Sequence, residues 1–200
     1  MSPVIIMKIL LISGSPREGN CEAVLKKIKK IISTIKQEKN IETELILLRE
    51  KNIHHCEGCV EFCNSTPKCK HTDDTNTLLE KFESADAIVI ASPTYFSMPS
   101  GLLKDFIDKT SVIWTKNVYS KKVDMSNIRG AVIGIGTHLP SIEKNSKNIE
   151  EVFKIFKIPV VKTLNLLGVS ELKDKDNILK EKENPTLIKD LEDLVEKLIK

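Results

Sequence analysis

Four of the five cysteines in this sequence lie close together, in the stretch CEGCVEFCNSTPKC from Cys56 to Cys69. Their spacing is C-x2-C-x3-C-x5-C, with Cys59 and Cys63 as the inner pair. Four thiolates are the number and type of ligand that a [4Fe–4S] cluster takes from a protein. Zinc is a competing metal, although it prefers two C-x2-C pairs separated by a longer span. A loop that binds no metal is the third possibility.

The rest of the chain indicates in which compartment these thiols work. The opening apolar run has no basic residues before it, so we expect no signal peptide, and no apolar run is long enough for a membrane span. We therefore expect a cytoplasmic protein, in which thiols stay reduced and clustered cysteines favour metal or redox chemistry over disulfides. The net charge of +3 is spread along the chain and gives no indication of a nucleic-acid partner.

Buried strands alternate with helices along the chain, which predicts a single α/β domain over residues 1–200. A cysteine-rich loop (54–72) follows strand 2, and a charged linker (171–183) precedes a C-terminal helix (185–200). We expect a flavodoxin-like three-layer sandwich with a five-stranded parallel sheet in the order 2-1-3-4-5. In such a sheet, ligands bind beyond the carboxyl ends of strands 1 and 3. The apolar runs predict strands at 7–13, 42–49, 86–92, 130–136 and 159–169. Apolar residues at helical spacing predict, besides the C-terminal helix, one helix after Asn20, one capped by Asp73 and Asp74, one that includes 102–107 and one at about 141–157.

The loop after strand 1, SGSPREGNC, has the composition of a site for one phosphate. It lacks both the Lys-Ser or Lys-Thr pair of a nucleoside-triphosphatase and the G-x-G-x-x-G of a dinucleotide site. Serine hydroxyls, glycine backbone, an arginine and a helix N-terminus capped by Asn20 all favour an anion. A thiol at that N-terminus is either acidified or a small residue beside the phosphate. The predicted phosphate-binding residues are Ser13, Ser15, Pro16, Arg17, Gly19, Asn20 and Cys21.

The loop after strand 3 brings two of the few aromatic residues to the same edge of the sheet. A phosphate cradle beside an aromatic wall suits a flat, phosphate-bearing cofactor, and FMN is the natural candidate. Gly136 and Thr137, after strand 4, are placed to touch the far edge of the ring. The predicted ring-binding residues of the strand 3 loop are Pro93, Thr94, Tyr95, Phe96 and Ser97.

Four motifs, GSPREGN, CEGC…C…C…DD, ADAIVIASPTYF and SGLLKDFIDK, occur in this order over about residues 7–170. With them the chain resembles the iron–sulfur flavoproteins, within the flavodoxin-like NAD(P)H-dependent FMN reductases. The resemblance implies FMN on the two loops and a [4Fe–4S] cluster on Cys56, Cys59, Cys63 and Cys69. The family's cysteine motif is usually written with two residues between the second and third cysteines, and this chain has three.

The resemblance also implies a function. Electrons would pass from a ferredoxin-like donor through the cluster to FMN, and from FMN to a small-molecule or protein acceptor. No side chain is required as a catalytic acid or base, because the flavin carries the chemistry. Members of the family are oligomers, so a homodimer or homotetramer is expected, with one subunit's cysteine loop near another's flavin. Two alternatives remain: a cluster-free reductase that takes hydride from NAD(P)H, and a zinc-stabilised, non-enzymatic docking module.

Overall fold

The computed structural model describes residues 6–35, 40–120, 123–168, 177–179 and 184–200. The start of the chain (1–5) and most of the predicted charged linker (171–176 and 180–183) lie outside the described residues. None of the helices in the described ranges is both long enough and apolar enough to cross a membrane.

The five strands form one parallel sheet in the order β2-β1-β3-β4-β5, which confirms the predicted fold. The order reverses direction between β1 and β3, so the chain turns to opposite sides of the sheet there and leaves a crevice at the carboxyl ends of these two strands. The predicted strand positions differ from the observed ones by at most about two residues at either end. The strands are β1 (Met7–Ser13), β2 (Ile41–Leu47), β3 (Ala87–Pro93), β4 (Arg129–Gly136) and β5 (Val160–Leu167).

Seven helices are found among the described residues, and the sequence predicted five of them. The two that it missed are α2, inside the cysteine loop, and α5, directly after α4. α6 begins and ends two residues before the predicted span of 141–157. The helices are α1 (Asn20–Ile35), α2 (Val60–Ser65), α3 (Thr75–Glu83), α4 (Gly101–Lys109), α5 (Ser111–Ser120), α6 (Leu139–Ile155) and α7 (Pro185–Ile199).

Each face of the sheet packs against its own set of helices. In β1, Ile9 and Leu11 lie on the face covered by α1 and α7, and Leu10 and Ile12 lie on the face covered by α3 and α4. All four side chains are buried, which explains the continuous apolar run of a strand covered on both sides. Burying such a side chain contributes about 1.5–3 kcal/mol, so this packing fixes the strand ends from which the loops emerge.

The end of β1 is also fixed to the start of α4. The hydroxyl of Ser100 caps α4 by accepting from the backbone N–H of Leu103, and it donates to the carbonyl oxygen of Gly14. Gly14 leaves no space for a side chain, since a Cβ at this position would lie 2.7 Å from the Cβ of Leu103. The loop after β1 is therefore hydrogen-bonded to the start of α4, the helix that follows the loop after β3 in the chain.

Candidate functional site

The loop after β1 is organised by its own serines. The Ser13 Oγ accepts a 3.4 Å hydrogen bond from the backbone N–H of Ser15, and the Ser15 Oγ donates 2.7 Å to the carbonyl oxygen of Arg17. The backbone N–H of Arg17 returns a 3.3 Å bond to the Ser15 Oγ. Both serines are buried, whereas Arg17 is exposed. The serines therefore shape the turn, and Arg17 is free to reach a ligand.

Asn20 was predicted to cap α1, but it does not. α1 begins at Asn20 itself, and the backbone N–H of Ala23 donates 3.0 Å to the carbonyl oxygen of Gly19, so Gly19 occupies the cap position. Asn20 Oδ1 is instead buried without a hydrogen-bond partner in the described structure. A buried polar atom without a partner is costly, so this amide is suited to bond a molecule that enters the pocket. The first backbone N–H groups of α1 likewise have no acceptor within the helix.

Of the two alternatives for Cys21, the structure does not support an acidified thiol. Burial raises the pKa of the Cys21 thiol to about 12, and the nearby charge of Arg17 offsets only part of that shift. The residue is 3% exposed and packs into the apolar cluster between α1 and the sheet. The structure supports the other alternative, a small, neutral residue that packs behind the loop.

The loop after β3 is supported by α6, a contact that the sequence did not reveal. The buried Asn145 donates to the Thr94 Oγ1 at 2.9 Å and to the Pro93 carbonyl oxygen at 3.4 Å. The backbone N–H of Thr94 also donates 2.7 Å to the carbonyl oxygen of Ile135 in β4. A polar residue among the apolar positions of a helix is the only sequence signal of this role, and by itself it names no partner.

Beyond Thr94 the chain makes a tight two-residue turn. Tyr95 and Met98 exchange backbone hydrogen bonds of 3.0 and 2.9 Å, and the residues between them, Phe96 and Ser97, have φ angles of 50° and 66°. Positive φ at both central positions is the type I′ hairpin geometry, which side chains such as phenylalanine rarely adopt. Phe96 is fully exposed at the tip. The turn thus presents an aromatic ring to solvent at the rim of the sheet.

These loops enclose one pocket of about 330 Å³ at the carboxyl ends of the strands. Ile135 and Gly168 line it in addition to predicted residues, and Arg17 is the only charged residue among the described ones that do so. Ser13, Pro16, Phe96 and Ser97 are the predicted residues outside this lining. Ten of the fourteen predicted cofactor residues meet here: Ser15, Arg17, Gly19, Asn20, Cys21, Pro93, Thr94, Tyr95, Gly136 and Thr137.

Two aspartates hold the start of the cysteine loop against α3. The Asp74 Oδ2 accepts 2.7 Å from the backbone N–H of Asn52, and the Asp73 Oδ2 accepts 2.8 Å from that of His54. The other oxygen of Asp73 accepts from the backbone N–H of Thr75, the first residue of α3. The Asp73 carboxylate therefore bonds both the helix start, as predicted, and the loop, whereas the Asp74 carboxylate bonds the loop.

α2 explains how the loop accommodates three residues between its second and third cysteines. Cys59 is the residue before α2 and Cys63 lies within it, and the backbone N–H of Cys63 donates 3.1 Å to the carbonyl oxygen of Cys59. Residues four apart on a helix share one face, so both thiols lie on the same side of α2. Burial, followed by the neighbouring Cys59, Cys69 and Cys56, raises the pKa of the Cys63 thiol to about 11. Cys63 therefore lies within electrostatic range of each of the other three cysteines of the loop.

A small pocket of about 100 Å³ lies between the loop and α5. Cys56, Cys59 and Cys63 line one side, and Trp114 and Thr115 of α5 line the other. This pocket shares no lining residue with the one at the strand ends. Within one chain, the cysteine loop therefore packs against α5.

The four cysteines suggest two metal groups, a zinc ion and a [4Fe–4S] cluster. Across the described ranges, no three His, Cys, Asp or Glu side chains come together at a point where they could hold a metal ion. The geometry thus gives no support to a zinc site. A [4Fe–4S] cluster takes one thiolate on each of four irons, so its ligands surround a body larger than an ion. Cys56, Cys59 and Cys63 line the small pocket, and Cys69 lies in the apolar cluster against which Cys63 packs, so the donor set is of the type that such a cluster takes.

The sequence of the chain is similar to those of known proteins. The family model for NADPH-dependent FMN reductase matches residues 7–156. An iron–sulfur flavoprotein of Methanocaldococcus jannaschii is 39% identical over 105 residues, which are 52% of each chain. One of Archaeoglobus fulgidus is 38% identical over 108 residues, which are 52% of this chain and 49% of the relative. The matched stretch therefore spans about half the length of these curated relatives.

Solved structures agree on the fold. An FMN-dependent NADH-azoreductase from Bacillus anthracis superposes with a TM-score of 0.69 at 18% identity, over 96% of this chain and 100% of that one. A flavodoxin mutant from Pseudomonas aeruginosa superposes with a TM-score of 0.57 at 14% identity, over 97% and 100% of the two chains. At these identities the likeness shows a flavodoxin-like fold and nothing finer.

Proposed function

The chain belongs to the NADPH-dependent FMN reductase family, and from this premise we propose that it is an FMN-binding redox protein of the iron–sulfur flavoprotein type. The observation that carries the proposal is the pocket in which the loops after β1, β3 and β4 meet. It lies at the crevice where parallel sheets of this order bind their ligands. FMN, when bound, stores two electrons and passes them to an acceptor.

The loop after β1 would hold the phosphate of FMN. Arg17 supplies the positive charge, and the N-terminus of α1 supplies backbone N–H groups that lack acceptors in the helix. Ser13 and Ser15 keep the loop in shape, and the unpartnered Asn20 Oδ1, an acceptor, can bond a hydroxyl of the ligand beside the phosphate. Cys21 remains a neutral thiol behind the phosphate.

The remaining walls would orient the ring. Thr94 is fixed by Asn145, and Tyr95 lines the pocket beside it while Gly136 and Thr137 close the far side. Phe96 and Ser97 form the exposed turn above, where a partner or substrate would approach. Because the chain has to provide only binding and orientation, no residue is assigned as an acid or base.

Cys56, Cys59, Cys63 and Cys69 would hold a [4Fe–4S] cluster, which supplies one-electron transfer when bound. We propose a ferredoxin-like protein as the donor, because a carrier of single electrons matches a cluster better than a hydride donor does. The cysteine pocket and the FMN pocket share no lining residue, so approach of one subunit's cysteine loop to another's FMN in a homodimer or homotetramer would join them.

A second candidate is a reductase without a cluster that takes hydride from NAD(P)H. The family to which the chain belongs, NADPH-dependent FMN reductase, favours it, and the exposed turn at Phe96 leaves the pocket rim accessible. The two candidates differ in which donor bleaches bound FMN rapidly under anaerobic conditions. We expect reduced ferredoxin to do so and NADPH to act slowly; rapid bleaching by NADPH alone would favour the second candidate.

The phosphate assignment is tested by comparing FMN with riboflavin. We expect FMN to bind at least about tenfold more tightly, because a hydrogen bond to a charged group contributes roughly 1.5–3 kcal/mol. Arg17→Ala should reduce this preference and leave riboflavin affinity nearly unchanged. Lys104→Ala, which removes an exposed positive charge paired with Asp108, is the matched control. Equal affinities for FMN and riboflavin in the wild-type protein would contradict the assignment.

A further inference from the structure

Lys109 is a buried lysine whose ammonium faces a cysteine. It is the last residue of α4 and is only 2% exposed. Its Nζ donates a 3.5 Å hydrogen bond to the Cys69 Sγ. Within the described ranges no carboxylate forms an ion pair with it, although Asp73 and Glu57 lie within range of its charge. A sulfur atom is thus the acceptor that the structure gives this ammonium.

This placement costs the protein stability. A charge removed from water is unfavourable unless an opposite charge and good hydrogen bonds compensate for it. A lysine in the last turn does interact well with the negative end of its helix, but it does so equally well from the surface. The position at the end of α4 therefore does not explain why the side chain turns inward to Cys69.

Cys69 is held more firmly than the other three cysteines of the loop. Asn76 of α3 accepts 2.8 Å from the backbone N–H of Cys69 and donates 3.1 Å to its carbonyl oxygen. The residue is buried, whereas Cys56 is exposed and Cys59 and Cys63 are half-buried. One helix thus fixes the backbone of Cys69 and another fixes its sulfur.

We propose that Lys109 is a positioning residue of the cluster site, one that holds the Cys69 sulfur and raises the reduction potential of the cluster. This inference rests on the proposed function, because it requires that the four cysteines bind a [4Fe–4S] cluster. Thiolate ligands make such a cluster negative, and reduction adds one more electron. A buried positive charge that donates to a ligand sulfur stabilises the reduced state more than the oxidised state.

The test is the midpoint potential of the cluster, followed by electron paramagnetic resonance during anaerobic titration, with bound FMN as an internal reference. We expect Lys109→Met to shift the reduction equilibrium by at least tenfold toward the oxidised state, which is 59 mV for a one-electron couple. Lys109→Gln, which keeps a donor without the charge, should give a smaller shift in the same direction. Lys109→Arg, which restores the charge, should recover most of the wild-type potential.

Lys104→Met is the matched control. It removes the same charge from the same helix, but Lys104 is exposed and paired with Asp108. Solvent screens a charge of this kind, so the reduction equilibrium of the cluster should shift by less than threefold. A second readout is the thermal unfolding of apoprotein without iron or FMN, in which Lys109→Met should melt at the wild-type temperature or higher because it removes a costly buried charge.

The outcomes separate this inference from the proposed function. Wild-type protein that takes up no iron would overturn both. Wild-type protein with a cluster, together with Lys109→Met and Lys109→Gln proteins of unchanged potential, would overturn the inference alone. So would a large loss of apoprotein stability in the Lys109→Met variant combined with a wild-type potential, because Lys109 would then be structural. Loss of iron from Lys109→Met with normal FMN content, recovered in Lys109→Arg, would support it.

Discussion

At the scale of single residues, the protein separates its cysteines by environment. Cys21 lies in an apolar cluster, whereas Cys56, Cys59 and Cys63 line a pocket on the other side of the sheet, and Cys69 is buried beside them. Sequence distinguished Cys21 from the other four by spacing alone. It could not give their burial, because burial depends on which helices pack over them.

The raised pKa of Cys21 predicts how its thiol responds to pH. Since burial raises the pKa from 9.0 to about 12, the neutral thiol is the form that folding favours. Its contribution to stability is complete below pH 9 and is lost as the pH rises toward 12. We therefore expect iodoacetamide at pH 8 to modify the exposed Cys56 in apoprotein and to leave Cys21 unmodified until the chain unfolds. Peptide mass mapping reads both sites, and prompt labelling of Cys21 in folded protein would contradict its assigned burial.

Cys63 provides a direct residue-level test of the cluster ligands. We expect Cys63→Ser to lose most of its iron after anaerobic reconstitution, because a serine is a poor replacement for a thiolate ligand. FMN content should remain at one per chain, since the FMN pocket has no residue in common with the loop. Iron and flavin assays on one sample measure both. Normal iron content in this variant would remove Cys63 from the ligand set.

At the scale of secondary-structure elements, the strands were predictable and two helices were not. β1, β3 and β4 are buried on both faces, and each is an apolar run that stands out in the sequence. β2 and β5 lie at the edges of the sheet and are only partly buried, but their apolar residues were sufficient to predict them. α5 lacks such a pattern because it exposes Trp114 and Val118. None of the residues of α2 is buried, so it has no buried apolar face from which the sequence could predict a helix. Both helices are short, and tertiary contacts between them define the cysteine pocket, which sequence periodicity cannot show.

The link between α4 and the loop after β1 predicts a difference between two helix caps. Ser100 caps α4 and also bonds Gly14, whereas Asn184 caps α7 by accepting 3.0 Å from the backbone N–H of Leu187. We expect Ser100→Ala and Asn184→Ala each to lower the free energy of unfolding by about 1 kcal/mol. Only Ser100→Ala should also weaken FMN binding. Equal FMN affinities, measured by fluorescence titration, would show that the Ser100 contact does not support the pocket.

Close packing at Gly14 gives a further prediction for the same junction. A Cβ at Gly14 would lie 2.7 Å from the Cβ of Leu103, so Gly14→Ala must displace the loop or α4. We expect a loss of roughly 1–3 kcal/mol in unfolding free energy, together with weaker FMN binding. Gly101→Ala is the matched control, because nothing lies within 4 Å of a Cβ there. Denaturant unfolding measures the free energy of unfolding of both variants. A Gly14→Ala protein as stable as the Gly101→Ala protein would contradict the close packing at Gly14.

At the scale of the whole molecule, the sequence was sufficient to predict the topology and most of the residues that line the pocket at the strand ends. The rule that parallel sheets bind ligands where the strand order reverses places the loops after β1 and β3 together before any coordinates are known. It could not predict Gly168 or Asn145, which reach the site only through folding of β5 and α6. Nor could it predict that the cysteine loop packs against α5 and shares no lining residue with the pocket at the strand ends.

The central claim is that one chain holds both FMN and a [4Fe–4S] cluster. The most direct test is the visible spectrum of protein purified without oxygen, with iron and acid-labile sulfide assayed on the same sample. We expect flavin bands above a broad absorbance, with about one FMN, four iron and four sulfide per chain. Flavin bands with negligible iron, even after anaerobic reconstitution, would contradict the claim and make the protein a cluster-free flavin reductase.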